Sequence, residues 1–326
     1  MSTKRSRVHP KYKTRHGLRN WAEYDRALVQ RGDITIWFSN QAVVAWTPEK
    51  TGRRGAQRKY SDLAIETALT LRLVYGLPWR QTEGFLNSVL GLMRLPLTAP
   101  DHTTLSRRSA GLATELKHRP AGPIHLIVDS TGLSVHGEGE WATWKYRLGG
   151  SRRGWRKLHL GVDDDGFILT SALTSGSAAD ATTAVELIDQ VGGDIERFTA
   201  DGAYDAACVY EAVAGRRRGP LEVVIPPRRG ALEHDVPHAT APWRTRHIRR
   251  IDEIGRRAWR AESGQHHQAK AENAVFRINR IIGPRLRASG ESARRVEMVV
   301  GCTILNAMLD LGRPDSYAVL AEALTG

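Results

Sequence analysis

A chain of 326 residues with 48 Lys and Arg against 35 Asp and Glu carries a formal net charge of +13 and a pI of about 10.1. That length allows two or three domains of ordinary size, and that charge calls for a polyanion, either nucleic acid or an anionic membrane surface. The two cysteines, Cys208 and Cys302, stand far apart without CxxC spacing, which excludes a disulfide framework and a cysteine zinc site and suits a reducing cytoplasm.

Residues 1–60 hold fourteen Lys or Arg against Glu23, Asp25, Asp33 and Glu49, a bias that marks a nucleic-acid-binding arm. The start, MSTKRSRVHPKYK, has no apolar run behind its basic residues and does not read as a secretory signal. Residues 1–20 predict a disordered or extended arm. Asn20 is placed to cap a helix reaching Gln30, and Ile34 to Phe38 reads as a short β-like run. The glycine- and arginine-rich stretch Thr51 to Lys59 is a linker, so residues 1–59 form a basic arm. Three helices are expected next, in a DNA-binding domain over 60–118. The first is capped by Ser61 with Ile65, Leu69 and Leu73 on one face, the second runs from Trp79 to Met93, and the third starts at Asp101. The polar, basic third helix suits a helix-turn-helix unit, in which Thr103, Thr104, Arg107 and Arg108 face DNA.

From Pro123 the pattern becomes strand-like, and residues 119–326 read as an α/β domain. HLIVDST, His125 to Thr131, predicts a buried central strand ending in Asp129. Beyond it Lys145, Arg147, Arg152, Arg153, Arg156 and Lys157 are interleaved with Trp141, Trp144, Tyr146 and Trp155, a mixture suited to a distorted or single-stranded DNA end. Trp155 to Val162 and Phe167 to Thr174 predict strands joined by a turn at Asp163-Asp164-Asp165-Gly166, and the acidic triplet is read as that turn and not as a metal site. A helix over Ala178 to Val191, a strand ending at Asp201, a helix from about Asp205 and a strand from Glu222 to Pro226 complete the series. Residues 228–260, with nine arginines against four acids, read as a basic insertion facing DNA. Ala261 to Ile282 and Ser292 to Leu311 predict two long helices. The most apolar stretch, Val296 to Leu311, carries Glu297 and Asp310 and is too short to span a bilayer, so no membrane association is expected.

Asp129, Asp201 and Glu272 are the candidate chemistry. A carboxylate at the end of a buried strand is costly unless its charge is offset. Two strand-end aspartates and a helical glutamate make a hard, all-oxygen set for Mg2+ or Mn2+. Two such ions, about 3.5–4 Å apart, serve the attacking and leaving oxygens of a phosphoryl transfer. The adjacent His266 and His267 point apart on a helix and are not read as a metal pair.

The segments IVDSTG, WRKLHLGVD, TADGAYD, VVIPPR and AESG…AEN…F…R, in this order, resemble the bacterial DDE transposases of insertion sequences, in the insertion-sequence-five family. The resemblance runs from about residue 50 to about residue 310. It implies an RNase-H-like catalytic domain, a mixed sheet flanked by helices, behind a helical N-terminal domain. It implies Asp129, Asp201 and Glu272 as catalytic, metal-holding residues with two ions, double-stranded DNA as partner, action as a homodimer or larger assembly, and a cytoplasmic, nucleoid-associated enzyme that cuts element ends and joins their 3′-hydroxyls to target DNA. The family usually places tyrosine seven residues before the glutamate, arginine four before and lysine seven after; here these are Gln265, Gln268 and Asn279. On a continuous helix they would share one stripe facing the DNA end, with Arg280 leaning in. The amides leave two other readings open, a nuclease without strand joining and a DNA-binding relative with impaired catalysis.

Overall fold

The computed structural model describes residues 15–319 other than 51, 53, 56, 117, 119, 136–154, 217, 238 and 239. The chain divides into two units, one from the segments up to Ile36 and from Ala307 onward, the other Trp37–Asn306. In the first, β1 (Arg15–Leu18) pairs antiparallel with the last strand, β8 (Ser316–Val319), so the end of the expected arm is paired strand. The helix α1 (Trp21–Gln30) begins after Asn20, whose side chain makes no cap. Its amide instead donates to the Arg313 carbonyl at 2.9 Å and accepts from the Asp315 N–H at 2.8 Å, so a residue suited to capping serves as a cross-chain clasp.

The β-like run expected after it is one helical turn, α2 (Ile34–Trp37). Asp33 causes this: its carboxylate accepts from both the N–H and the hydroxyl of Thr35 at 2.9 Å, turning the chain before its β-branched residues can extend. A short α3 (Asn40–Val44) follows. The three expected helices are α4 (Asp62–Val74), α5 (Trp79–Leu92) and α6 (His102–Ser109), which pack on one another. Ser61 caps α4 by accepting from the Ala64 N–H at 3.0 Å, and Ile65, Leu69 and Leu73 are buried. Asp101 caps α6 by accepting from the Thr103 and Thr104 N–H groups.

The sheet of the larger unit is built from β2 (Ile124–Val135), β3 (Trp155–Val162), β4 (Ile168–Ser175), β5 (Ile195–Ala200), β6 (Glu222–Val224) and the short β7 (Arg285–Leu286). Its order is β4-β3-β2-β5-β6, with β7 alongside the far end of β2. The hairpin pairs β2–β3 and β3–β4 are antiparallel, whereas β2–β5 and β5–β6 are parallel. The β3–β4 turn forms as its residues require: the Asp163 carboxylate accepts from the N–H groups of Asp165 and Phe167 at 2.9 Å, and Gly166 takes φ +82°.

One sheet face is covered by α7 (Asp180–Gln190) and α8 (Ala207–Gly215), whose Ala184, Leu187, Ile188, Val209, Tyr210 and Val213 share a core with Ile124, Leu126, Val128, Phe198 and Ala200. After α9 (Pro242–Glu262), α10 (Ala269–Arg277) packs on β2 and β3, and α11 (Glu291–Leu311) closes the series. This mixed sheet flanked by helices is the architecture of an RNase-H-like domain. Among the described residues no helix is long and apolar enough to cross a membrane.

The expected single helix over 261–282 is broken in two places. Gly264 takes φ +74°, where an added Cβ would collide with the Arg197 guanidinium, and Gln265–Gln268 form a tight 3-10 turn before α10. At the other end α10 widens into a π turn, Ile278–Ile282.

Of the nine arginines of 228–260, Arg244 is buried in the fold, Arg256 bonds to backbone, and Arg246, Arg249 and Arg250 form ion pairs at the surface. Arg246 pairs with Glu222 at 2.8 Å, Arg249 with Glu233 at 2.8 Å, Arg250 with Glu253 and Glu262 at 2.9 Å, and Arg256 donates to the Pro227 carbonyl at 2.8 Å. Arg244 is buried against Asp205 at 2.9 Å, and Asp205 also accepts from the Tyr210 hydroxyl and the Arg228 N–H. The second aspartate of the DGAYD segment therefore anchors α9 to the sheet. Removing one partner of a buried pair costs about 3–5 kcal/mol when the other charge is stranded, and the cost here falls toward the lower end because Arg244 keeps Asp235 at 3.3 Å and the Leu232 carbonyl at 2.7 Å. Asp205→Ala is expected to lose about 3 kcal/mol of unfolding free energy, seen as a lower urea midpoint by circular dichroism; a midpoint close to wild type would contradict this role.

Candidate active site

Val128 and Ala200 are the last paired residues of the parallel β2–β5 ladder. The next residues along each chain are Asp129 and Asp201, so the two carboxylates leave neighbouring strands about 4.8 Å apart. Asp129 is not at the end of its strand, as expected from HLIVDST. β2 runs on to Val135 because β3 continues to pair with it through Ser134 and Trp155, while β5 stops at Ala200. The notch where β5 stops is what exposes the carboxylates. Asp201 turns away there, its carboxylate accepting from the Ala203 N–H at 2.8 Å and capping a 3-10 turn, Gly202–Tyr204.

Strand alternation decides which face the site occupies. Val128 and Ala200 point into the α7–α8 core, so Asp129 points to the opposite face, where α10 packs, and the extended backbone of Asp201 continues the same alternation. Glu272 lies in the first turn of α10 and is exposed. Its helix is located by Gln268, whose side-chain amide donates to the Val128 carbonyl at 2.9 Å, one residue before Asp129.

Burial pushes the Asp129 carboxyl well above the ordinary carboxylate range, to about 6. The negative charges of Asp201, Glu272 and Asp180 add to that rise, against the Ser130 N–H, which donates to Asp129 Oδ1 at 2.8 Å. Asp129 is therefore near enough to feel both Asp201 and Glu272, although among the described residues the three carboxylates do not come together within 4.8 Å as one ligand group. Asp180, the fourth, is an addition that nothing in its sequence surroundings signals. It accepts from the Ser130 hydroxyl at 2.9 Å and pairs with Lys157 at 2.6 Å.

The expected DNA-facing residues separate into those that face outward and those that do not. Arg107 and Arg280 are exposed. Thr103 and Thr104 turn their hydroxyls onto the Asp101 carboxylate, and Arg108 bonds to the Tyr60 carbonyl at 2.9 Å and to Asp62, so helix capping and helix packing claim these three. Lys157 is taken up by Asp180, and Arg156 pairs with Glu291 at 3.3 Å. Gln268 is 5% exposed and faces the sheet. Gln265 and Asn279 are half-buried in the 3-10 and π turns, so no continuous stripe joins them to Glu272. Phe276, the aromatic of the AEN…F…R segment and one turn beyond Glu272, is 65% exposed. Lys145, Arg147, Arg152 and Arg153, with Trp141, Trp144 and Tyr146, lie outside the described residues.

A second gathering lies about 13 Å back along β2 on the same face, four residues before Asp129. The ligand atoms of His125, Asp164 and His267 all lie within 4.8 Å of one another. His125 is buried, and burial holds its imidazole down at about 4, against the attraction of Asp164. His266, next to His267 in sequence, is not in the group.

The raised Asp129 carboxyl fixes the sign of a pH effect. Between the ordinary range near pH 4 and about 6 the folded chain binds a proton that the unfolded chain has released, so stability falls as pH rises through that window. In EDTA at pH 7.5, Asp129→Asn is expected to melt about 2–5 °C above wild type, with the gap closing below pH 4. A gap independent of pH between 4 and 7.5 would contradict this.

Two family models match the chain. One described as a transposase DDE domain covers residues 29–138, and another of the same description covers residues 120–306, more than half of the chain. The second spans the whole sheet from β2 through β7, the notch between β2 and β5, and α10 with Glu272. The chain belongs to the DDE transposases.

Proposed function

We propose that this transposase cleaves the ends of its insertion sequence and joins the freed 3′-hydroxyls to target DNA, with Asp129, Asp201 and Glu272 holding two divalent ions, Mg2+ or Mn2+. The observation that supports the reading is the parallel register ending at Val128 and Ala200, one residue before Asp129 and Asp201, with the helix of Glu272 packed on β2 and β3. The donor set fits: it is all oxygen, as such ions require, and Asp129 is short of compensating charge. When bound, such ions neutralise phosphate charge and activate an oxygen nucleophile in line with its leaving group.

The chain's own part is to hold this set rigid. The Ser130 N–H keeps Asp129 Oδ1 in place at 2.8 Å. Asp201 is fixed by the Ala203 N–H, and Gln268 keeps α10 seated so that Glu272 stays over the notch. No serine or tyrosine nucleophile is required. Arg107, Arg280 and the exposed ring of Phe276 are the groups left to meet DNA among those identified above, the ring by stacking on an unpaired base. The partner is double-stranded DNA at the nucleoid, and joining two ends calls for at least a dimer.

A second reading, a DNA-binding relative with impaired catalysis, is favoured by the amides Gln265, Gln268 and Asn279, and one assay separates the two. Protein, Mn2+, a labelled element end and a plasmid target are incubated together, and joined product is expected from wild type. Asp201→Ala is expected to lose cleavage and joining by roughly 100-fold or more while its gel shift on the end is unchanged. Cut but unjoined ends would instead indicate a nuclease, a gel shift without cutting the impaired relative, and full activity in Asp201→Ala would remove the site.

A further inference from the structure

We propose that His125, Asp164 and His267 form a separate metal centre for a divalent transition ion of the zinc class, which staples the start of α10 to the sheet. Both imidazoles direct Nδ1 at the same oxygen, Asp164 Oδ1, at 2.8 Å from His125 and 3.0 Å from His267. Bonds of 2.0–2.1 Å to a tetrahedral zinc separate ligand atoms by about 3.3 Å. The two nitrogen–oxygen distances are a few tenths of an ångström short of that, and the two imidazoles lie within 4.8 Å of each other, so small side-chain shifts would admit an ion in place of the shared protons.

The donors select the ion. Two nitrogens and one oxygen suit zinc, cobalt or nickel, whereas magnesium prefers an all-oxygen set. The other ring nitrogen of His125 already has a partner, Thr199 Oγ1 at 2.8 Å, the outer hydrogen bond that fixes the orientation of a ligating imidazole. The nearby Arg197 guanidinium is held by the Ser263 carbonyl at 2.7 Å. The Asp164 side chain is 54% exposed and that of His267 31%, which leaves a solvent-facing side for a fourth ligand.

The three ligands come from three elements: β2, the β3–β4 turn and the 3-10 turn that opens α10. An ion among them would tie the turn before Glu272 to the sheet at one end, while Gln268 ties it at the next residue. This centre does not depend on the strand-transfer reading, because its test uses no DNA and no catalysis.

The full chain, prepared without a metal-binding tag and stripped with EDTA, is titrated with Co2+ and then Zn2+. With excess Mg2+ present to fill the all-oxygen set, we expect one Co2+ per chain with visible d–d absorption, displaced by Zn2+, and a zinc-induced rise in Tm of roughly 3–6 °C. Asp164→Asn and His267→Gln, both at partly exposed positions, are expected to weaken binding roughly tenfold or more. Asp129→Asn and Asp201→Asn should keep the signal. Absence of the cobalt signal, its persistence in Asp164→Asn and His267→Gln, or its loss in Asp129→Asn would overturn the proposal.

Discussion

Two negative charges on adjacent parallel strands, at the spacing of a peptide ladder, are the constraint around which this domain is arranged. The strands cannot relax apart, because Val128 and Ala200 just before them are locked into the α7–α8 core. The cost appears as an Asp129 carboxyl pushed up to about 6, by burial first and by the neighbouring negative charges after it, at the place where β5 stops. The apolar ladder enforces a geometry that the carboxylates alone would not choose. A metal-free chain thus carries a standing cost at this place, as is common where a binding site is assembled before its ligand arrives.

The third carboxylate is delivered by a different route. Glu272 is on a helix with only nine residues, and its position follows from what grips the helix ends. Gly264 allows the sharp entry, Gln268 reaches into the sheet, and Arg277 donates to the Leu305 carbonyl at 2.7 Å. Two of these grips are uncharged and buried, so salt and DNA binding would disturb them little. Glutamine at residue 268 carries no charge to offer phosphate and gives the helix a fixed seat on the sheet.

The succession of strands and helices from β2 to β6 and the starts of α4, α5 and α6 were legible in the sequence because local signals agreed with the final packing. Ser61 and Asp101 are capping residues that cap, and the turn at Asp163 to Gly166 has the glycine its φ needs. The readings that failed are those in which a residue had two possible partners. Asn20 could cap α1 or clasp the chain's last segment, and it does the latter. Arg108 could face DNA or brace α4, and it braces. Helical periodicity from 261 to 282 was continuous in the sequence, yet Gly264 and the π turn divide it. Asp180 beside Asp129, and His125 beside Asp164 and His267, join residues far apart in the chain, and no local pattern announces such meetings.

The π turn Ile278–Ile282 after α10 is a store of slack. Its wider winding holds more chain per turn than an α-helix does, so a residue could be lost there by tightening to α geometry. The same loss inside Ala269–Arg277, on the sheet side of Glu272, would swing the glutamate by about 100° away from the notch. Length variation among related chains should therefore gather beyond residue 277 and spare the nine residues before it, with the downstream segment sliding while the acidic group keeps its aim.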